Sequence, residues 1–177
     1  YTHSPILSEL QGVHSMDNEL FELAERLGQS LKAKGHKIAT AESCTGGWIA
    51  QAITEIPGSS AWFDRGFVTY SNNAKAQMLG VSPQTLAEHG AVSAEVAQQM
   101  ATGTLASSEA DWAIAVTGIA GPDGGSEDKP VGTVYVAWQN KTGFSKVERL
   151  SLSGNRHQIR RQTITKAMEG ILIFCDT

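Results

Sequence analysis

"KIATAESCTGGWIAQAITEIPG", residues Lys37 to Gly58, contains the transition on which the fold depends. A short run of apolar and β-branched residues ends near Glu42 and predicts a strand. After Gly46 and Gly47, apolar residues recur at helical spacing until Pro57-Gly58 ends the pattern. A strand, a tight turn and a helix in succession are typical of an α/β domain, in which ligands bind beyond the carboxyl ends of the strands.

Helix and strand patterns continue on both sides of this unit. An apolar helix face begins at Asp17, a plausible N-cap, and ends at Gly35. The other predicted helices are "NNAKAQMLG", Pro83 to His89, Ser93 to about Ser107, and a last helix capped by Asn155. The other predicted strands are "RGFVTYS", "DWAIAVTG" and a hairpin of "TVYVAWQ" and "FSKVERLSL". This order predicts a single three-layer α/β/α domain with a mixed, mostly parallel sheet and an antiparallel hairpin.

Composition and charge exclude several classes of protein. The formal net charge is -4 and basic residues form no run, so we expect no binding to nucleic acid. An apolar run of about 20 residues, which a membrane span requires, is absent. Two distant cysteines, Cys44 and Cys175, favour a reduced, cytoplasmic protein over a disulfide scaffold. The five histidines are scattered without a metal-binding motif, so we expect neither a metal nor another cofactor.

The first fifteen residues differ from the rest of the chain. Residues 1–15 contain one charged residue, Glu9, and lack both the basic segment and the apolar core of a signal peptide. Met16 is followed by Asp-Asn-Glu and reads as a natural start. We therefore interpret residues 1–15 as a cloning remnant or disordered arm and residues 16–177 as the folded domain.

Three polar segments fall where strands are predicted to end: "ESCTGG", "VTYSNNAK" and "VTGIAGPDGG". Each contains hydroxyl groups, and the first and third contain glycines. Glycines let a backbone approach a ligand closely, and free amides at a helix start suit an anion such as phosphate. The alternative is that these glycines only form turns.

Ser43 lies at the predicted turn between strand and helix, a geometry similar to that of a nucleophile elbow, although "ESCTGG" is not GxSxG. The alternative is that Ser43 or Thr45 only caps the following helix. Cys44 is a second candidate nucleophile, but buried cysteines are usually inert packing groups.

Lys75 follows a predicted strand end at the start of a helix. A lone lysine in that position is usually solvated. If it is instead buried beside Ser43, its pKa falls and it accepts the proton of the serine.

The segments "AESCTGGWIAQAITEIPGSSAWFDRGFVTYSNNAK", "GAVS" and "VTGIAGPDGGSEDKPVGTVYVA" resemble the CinA C-terminal-domain family. The similarity extends from about residue 17 to residue 172, with several motifs in the same order. Stand-alone members of this family hydrolyse nicotinamide mononucleotide to nicotinate mononucleotide and ammonia without a metal. The resemblance therefore implies a metal-independent amidohydrolase of pyridine nucleotide salvage, with nicotinamide mononucleotide as its small-molecule partner.

The resemblance also implies roles for individual residues. Ser43 is the expected nucleophile and Lys75 its proton acceptor, with Tyr70 and Thr117 nearby. Backbone amides near Thr45, Gly46 and Gly47 are expected to stabilise the oxyanion. The candidates for binding the phosphate are the glycine loop from Gly118 to Gly125, with Gly118 and Gly121 foremost, together with Arg65 or Arg156.

The resemblance also leaves an alternative to the enzyme. The protein could be a nucleotide-binding module without turnover that regulates competence or responses to DNA damage, an association contained in the family's name. Retention of both Ser43 and Lys75 favours the enzyme. Because family members tend to associate, we also expect a homodimer or a larger homo-oligomer.

Overall fold

The computed structural model describes the backbone of residues 5–176 and the side chains of residues 18–176. Helices and strands follow one another largely as the sequence predicts. The helices are α1 (Pro5–Lys34), α2 (Trp48–Thr54), α3 (Asn72–Leu79), α4 (Pro83–His89), α5 (Ala94–Ala106) and α6 (Arg156–Phe174). The strands are β1 (Ile38–Glu42), β2 (Phe63–Val68), β3 (Trp112–Gly118), β4 (Thr133–Asn140) and β5 (Ser145–Ser151), and a 3₁₀ turn spans Ser59–Ala61.

The strands form one mixed sheet in the order β2-β1-β3-β4-β5. β1 pairs in parallel with β2 and β3, whereas β4 is antiparallel to both β3 and β5. Four strands therefore run in one direction and β4 runs against them, as expected for a parallel unit extended by a hairpin. The carboxyl ends of β1, β2 and β3 meet at one edge of the sheet, which is where the three polar segments begin.

Helices cover both faces of the sheet, and the two faces differ in side-chain size. One core packs α1, α2 and α6 against large side chains such as Ile114, Val136 and Trp138. The other core packs α3, α4 and α5 against small ones, and its sheet residues are mostly alanines: Ala41, Ala113, Ala115 and Ala137. Because alternate residues of a strand point to opposite faces, β3 and β4 supply both kinds of surface. The predicted three-layer architecture is confirmed.

Local signals explain where several helices begin and end. Serine side chains at positions 71, 82 and 93 accept backbone N–H groups at the starts of α3, α4 and α5. Asn155 and Gln158 form a reciprocal capping box at the start of α6. At the end of α1, Gly35 adopts a φ of 67°, and the N–H of His36 reaches back to the carbonyl of Leu31. The predicted stop at Gly35 is therefore confirmed.

The predicted start of α1 is wrong. The helix begins at Pro5, so Asp17 lies inside it and is not its N-cap. Residue type alone suggested the cap, but the helical backbone extends further toward the amino terminus. The interpretation of residues 1–15 stays a prediction, because residues 1–4 and the side chains up to residue 17 lie outside the described part of the chain. Among the described helices, none is long and apolar enough to cross a bilayer.

Candidate active site

The segment after β1 forms a tight turn that leads into α2. The N–H of Ser43 donates to the carbonyl of Val116 on β3, which continues the parallel pairing one residue past the strand. The N–H of Gly46 then donates to the carbonyl of Ser43, and Gly46 and Gly47 have φ values of 60° and 100°. Residues with a Cβ rarely adopt these values, so the two glycines allow the chain to reverse directly after Ser43.

Lys75, in the second turn of α3, reaches the turn from the neighbouring segment. Its Nζ lies 3.0 Å from Ser43 Oγ, 3.0 Å from the carbonyl oxygen of Thr69 and 3.1 Å from that of Tyr70. The side chain is 1% exposed, so the alternative of a solvated lysine is wrong. The structure brings together Ser43 and Lys75, which are 32 residues apart in sequence.

The surroundings of Lys75 destabilise its charged form. Burial lowers the pKa of Lys75, and the electrostatic effect of Cys44 acts in the opposite direction. Within the described residues, Lys75 has no carboxylate partner in an ion pair. A neutral amine has two N–H groups and one lone pair. In the structure, Lys75 Nζ donates to Ser43 Oγ and to both carbonyls; once the amine is neutral, the carbonyls of Thr69 and Tyr70 accept its two N–H groups and its lone pair is left for the hydroxyl proton of Ser43.

Cys44 is adjacent to Ser43 but has a different environment. Its side chain is buried, and burial raises the pKa of its thiol to about 12. The thiolate, which is the nucleophilic form, is therefore suppressed at neutral pH. The carbonyls of Cys44 and Thr45 accept hydrogen bonds of 3.1 Å from Arg160 of α6, which fixes the backbone of the turn.

The Ser43–Lys75 pair lines a cavity of about 300 Å³ at the carboxyl edge of the sheet. Five other residues predicted from the sequence also line it: Tyr70, Thr117, Gly118, Gly121 and Arg156. The Thr117 hydroxyl donates to the carbonyl of Ala91 at 2.8 Å.

Arg156, the first residue of α6, bridges the mouth of this cavity. Its Nη1 donates to the carbonyl of Gly121 at 2.8 Å, and its Nη2 lies 3.2 Å from the hydroxyl oxygen of Tyr70. Tyr70 is largely exposed. The glycine loop and the segment after β2 are thus joined by one guanidinium group at the entrance.

Several residues predicted from the sequence lie elsewhere. Arg65 is a correction: it lies on the edge strand β2, and its guanidinium donates to Asp64 and to the carbonyl of Ser107, away from the cavity. Thr45, Gly46 and Gly47 are also absent from the cavity lining. The Gly46 N–H is already used within the turn, which does not support its expected oxyanion role, and the Thr45 hydroxyl donates to a buried carboxylate.

That carboxylate belongs to Glu42, which sequence reasoning left without a role. Glu42 Oε1 accepts the Thr45 hydroxyl at 2.6 Å and the N–H of Ile49 at 2.8 Å, and Oε2 accepts the N–H of Ala50 at 3.1 Å. A carboxylate just before a predicted helix start was an available signal for such a contact. Asp123, Gly124 and Gly125 also line the cavity and belong to the glycine loop predicted from the sequence. Asn72 lines the cavity too and was missed, although it lies in the recognised segment "VTYSNNAK".

Metal ligands do not gather in the part of the chain that the structure describes. No group of three or more histidine, cysteine, aspartate or glutamate residues there is arranged to hold an ion.

Comparison with known proteins identifies the family. The family model described as the CinA C-terminal domain matches residues 20–175. The chain is 57% identical over 153 residues to the nicotinamide-nucleotide amidohydrolase PncC of Escherichia coli (strain K12), covering 86% of this chain and 93% of that protein. It is 52% identical over 151 residues to the protein of the same name from Pseudomonas putida, covering 85% of this chain and 93% of that protein.

A solved structure has the same fold. The crystal structure of the competence/damage inducible protein CihA from Agrobacterium tumefaciens has a TM-score of 0.86 and 49% sequence identity, and it covers 89% of this chain and 96% of that one. The chain belongs to the CinA C-terminal domain family.

Proposed function

We propose that this member of the CinA C-terminal domain family hydrolyses the carboxamide of nicotinamide mononucleotide, a reaction of pyridine nucleotide salvage. The products are nicotinate mononucleotide and ammonia. The relatives named nicotinamide-nucleotide amidohydrolase support this substrate, because they match most of the chain at 52–57% identity. The single observation that supports the mechanism most directly is the hydrogen bond between Lys75 Nζ and Ser43 Oγ inside the cavity.

In the first step, Ser43 Oγ attacks the carboxamide carbon while the lone pair of Lys75 takes the hydroxyl proton. A primary carboxamide is a poor electrophile, but the pyridinium ring withdraws electrons from its carbonyl carbon. Lys75 then gives its proton to the amide nitrogen. The carbon–nitrogen bond breaks, ammonia leaves, and nicotinate remains as an ester of Ser43.

In the second step, water takes the place of the serine hydroxyl. Lys75 removes a proton from water as its oxygen attacks the ester carbon. The bond to Ser43 Oγ then breaks, and Lys75 returns the proton to that oxygen. Each half of the reaction uses the lysine once as a base and once as an acid, so the enzyme returns to its starting state.

The oxyanion that forms in both steps needs a donor beside the nucleophile. Cys44 lines the cavity, and its N–H follows Ser43 directly in the chain. The N–H of Cys44 donates to no backbone carbonyl among the described residues. This position is the one that supplies an oxyanion donor in nucleophile elbows. We therefore assign the oxyanion to the N–H of Cys44, and the cysteine contributes its backbone and not its thiol.

The phosphate group of the substrate is assigned to the mouth of the cavity. Arg156 provides a permanent positive charge there, and Gly121, Gly124 and Gly125 provide a backbone without side chains that an anion can approach. The φ values of these glycines lie between 79° and 89°. Phosphate binding replaces the contact of Arg156 with the Tyr70 hydroxyl, so the same guanidinium bridge opens when the substrate enters.

Tyr70 and Thr117 have supporting roles in this mechanism. The Tyr70 carbonyl accepts one N–H of Lys75, and the Tyr70 ring lies at the cavity mouth. The Thr117 side chain is fixed by its bond to the Ala91 carbonyl and forms part of the cavity wall.

The deciding experiment measures ammonia release from nicotinamide mononucleotide by the purified protein. Mass spectrometry of the remaining nucleotide should show a gain of one mass unit, as an amide becomes an acid. Free nicotinamide, which lacks the ribose and phosphate, serves as a matched control and should react much more slowly. Binding of the nucleotide without ammonia release would contradict the enzyme and favour a nucleotide-binding regulatory module.

The cellular setting is also part of the proposal. Two buried, unpaired cysteines support a cytoplasmic location, since reducing compartments keep thiols free. A net charge of -4 gives no support for a nucleic-acid partner. A homodimer or larger homo-oligomer remains our expectation, and light scattering at micromolar concentration measures it directly.

A further inference from the structure

Glu42 is a buried acidic residue for which the mechanism above has no use. Its side chain is 1% exposed, and it forms no ion pair with a lysine or arginine among the described residues. Burying a carboxylate without a cation is costly unless several hydrogen bonds compensate. A buried carboxylate that is retained at this cost is expected to have a structural or functional role.

The carboxylate of Glu42 ties the catalytic turn to the helix that follows it. Both Oε1 and Oε2 accept backbone N–H groups from the first turn of α2, and Oε1 also accepts the hydroxyl of Thr45. Thr45 lies two residues after Ser43, and Ile49 and Ala50 lie just beyond the glycines. One side chain therefore holds both ends of the loop in which Ser43 and the proposed oxyanion donor lie.

The backbone of Glu42 connects the same residue to Lys75. Its carbonyl accepts the N–H of Thr69 at 2.9 Å. The carbonyl of Thr69 in turn accepts Lys75 Nζ at 3.0 Å. Glu42 is thus the covalent neighbour of the nucleophile Ser43. It is also linked to the base Lys75 by two hydrogen bonds, both of which are made by the backbone of Thr69.

We propose that Glu42 is a positioning residue, whose carboxylate fixes the turn of Ser43 relative to Lys75 and sets the geometry of attack. This inference rests on the proposed amidohydrolase function. Misplacement of reacting groups by about 1 Å costs on the order of 10²-fold in rate, so positioning of this kind is measurable. Because Glu42 does not line the cavity, it affects kcat and leaves substrate binding nearly unchanged.

The first test is Glu42→Gln, which keeps the size of the side chain. Its amide can accept at one oxygen, but its NH₂ group faces an N–H donor of α2. We expect kcat for nicotinamide mononucleotide to fall by about 10- to 100-fold and KM to stay within about threefold, at a temperature well below unfolding. Wild-type kcat, or a loss confined to KM, would overturn the proposal.

A second set of variants keeps Glu42 and changes its partner, in case Glu42→Gln does not fold. Thr45→Val removes the hydroxyl donor with little change in volume and should lower kcat, whereas Thr45→Ser restores the hydroxyl and should recover most of it. Thr104→Val is the matched control, since Thr104 is another fully buried threonine whose hydroxyl bonds to the Met100 carbonyl in α5. Equal loss in Thr45→Val and Thr104→Val would reduce the effect to packing and contradict positioning.

A substrate-independent measurement separates failure of this inference from failure of the proposed function. A fluorophosphonate labels an activated serine, and mass spectrometry gives the labelling rate of Ser43. Slower labelling of Glu42→Gln than of the wild type supports positioning even if nicotinamide mononucleotide is not the substrate. Equal labelling rates, together with equal kcat on any substrate that turns over, would overturn it.

Discussion

At the two ends of the central sheet, the surroundings have opposite effects on the charged forms of ionisable side chains. At the amino end, Asp111 accepts the N–H of Lys37 and pairs with the Nζ of Lys141. Burial alone would raise the pKa of Asp111, but the hydrogen bonds from Lys141 and Lys37 outweigh it and hold the pKa below its usual range. The charged form is the stable one at this end.

At the carboxyl end, burial has the larger effect. It lowers the pKa of Lys75 and raises the pKa of Glu42, against the hydrogen bonds that Thr45 and α2 donate to that carboxylate. Neither residue pairs with an opposite charge among the described side chains. The same sheet therefore stabilises charge where it supports the fold and destabilises charge where a proton must move.

Removal of the nucleophile at the carboxyl end should cause the largest loss of activity. We expect Ser43→Ala to lower kcat by at least about 10³-fold, because no other hydroxyl lies within hydrogen-bonding distance of Lys75 Nζ in the described structure. Ammonia release under single-turnover conditions measures the residual rate. A Ser43→Ala enzyme of near-normal activity would show that the carboxyl end acts through another group.

Removal of the base should have the next largest effect. Lys75→Met keeps the length of the side chain and abolishes the amine, so kcat should fall by at least about 10²-fold. Since the buried amine disfavours its charged form, the variant should unfold within about 2 °C of the wild type or above it. Calorimetry and circular dichroism check this, and a large loss of stability would mean that Lys75 is a structural charge like those at the amino end.

At Cys44, a substitution can test the role of the side chain while the backbone N–H stays in place. Cys44→Ala should cost less than about tenfold in kcat, since the thiol stays protonated and the proposed oxyanion donor is retained. Iodoacetamide should likewise leave most of the activity. An inactive Cys44→Ala beside an active Ser43→Ala would reverse the assignment of the nucleophile.

A change at the amino end should affect stability and leave catalysis intact. Asp111→Asn should lower the thermal midpoint at pH 7 by about 2–4 °C, corresponding to about 1 kcal/mol, and change kcat by less than twofold. Because the folded-state pKa of Asp111 is depressed, its contribution is present above the unfolded value of about 3.9 and is lost as the pH falls through the folded value. The difference in midpoint between the two proteins should therefore shrink in melts recorded from pH 7 toward pH 3. A constant difference would contradict a role for the charge.

Chelation should have the smallest effect. If a neutral lysine supplies the base, activity should survive exhaustive treatment with EDTA, because no step requires a Lewis acid. Activity that is lost in EDTA and restored by one divalent ion would show that the reaction uses a metal ion, and it would contradict a lysine that acts without one. Rates before and after dialysis against chelator decide this.

The sequence was sufficient for those features that depend on local pattern. Periodicity and capping residues located the strands and most helix boundaries, and the rule that ligands bind beyond strand ends placed Ser43, Lys75 and Thr117 at one edge. The order of the strands was not readable, because pairing between β1 and its neighbours involves residues far apart in the chain. Arg65 was misassigned for a different reason: it lies inside β2, and its guanidinium contacts Asp64 and the carbonyl of Ser107 instead of the residues that follow the strand.

The directions of individual side chains also could not be predicted from the sequence. Thr45 and Ser43 belong to one short motif, yet one hydroxyl faces the cavity and the other faces Glu42. Only the folded turn, with two glycines at positive φ, separates these directions. The bridge from Arg156 to Tyr70 spans 86 residues and likewise depends on how α6 packs.

The alanine-lined face of the sheet has a consequence for protein engineering. Helix α5 packs on it, and a Cβ at Gly103 would collide with the carbonyl of Leu79 in α3, the helix that contains Lys75. A side chain at Gly103 would therefore push α3 outward and lengthen the 3.0 Å contact of Lys75 with Ser43. A library built to raise heat resistance should therefore leave Gly103 unchanged and vary buried side chains of α1 on the opposite face, such as Leu23 and Leu27.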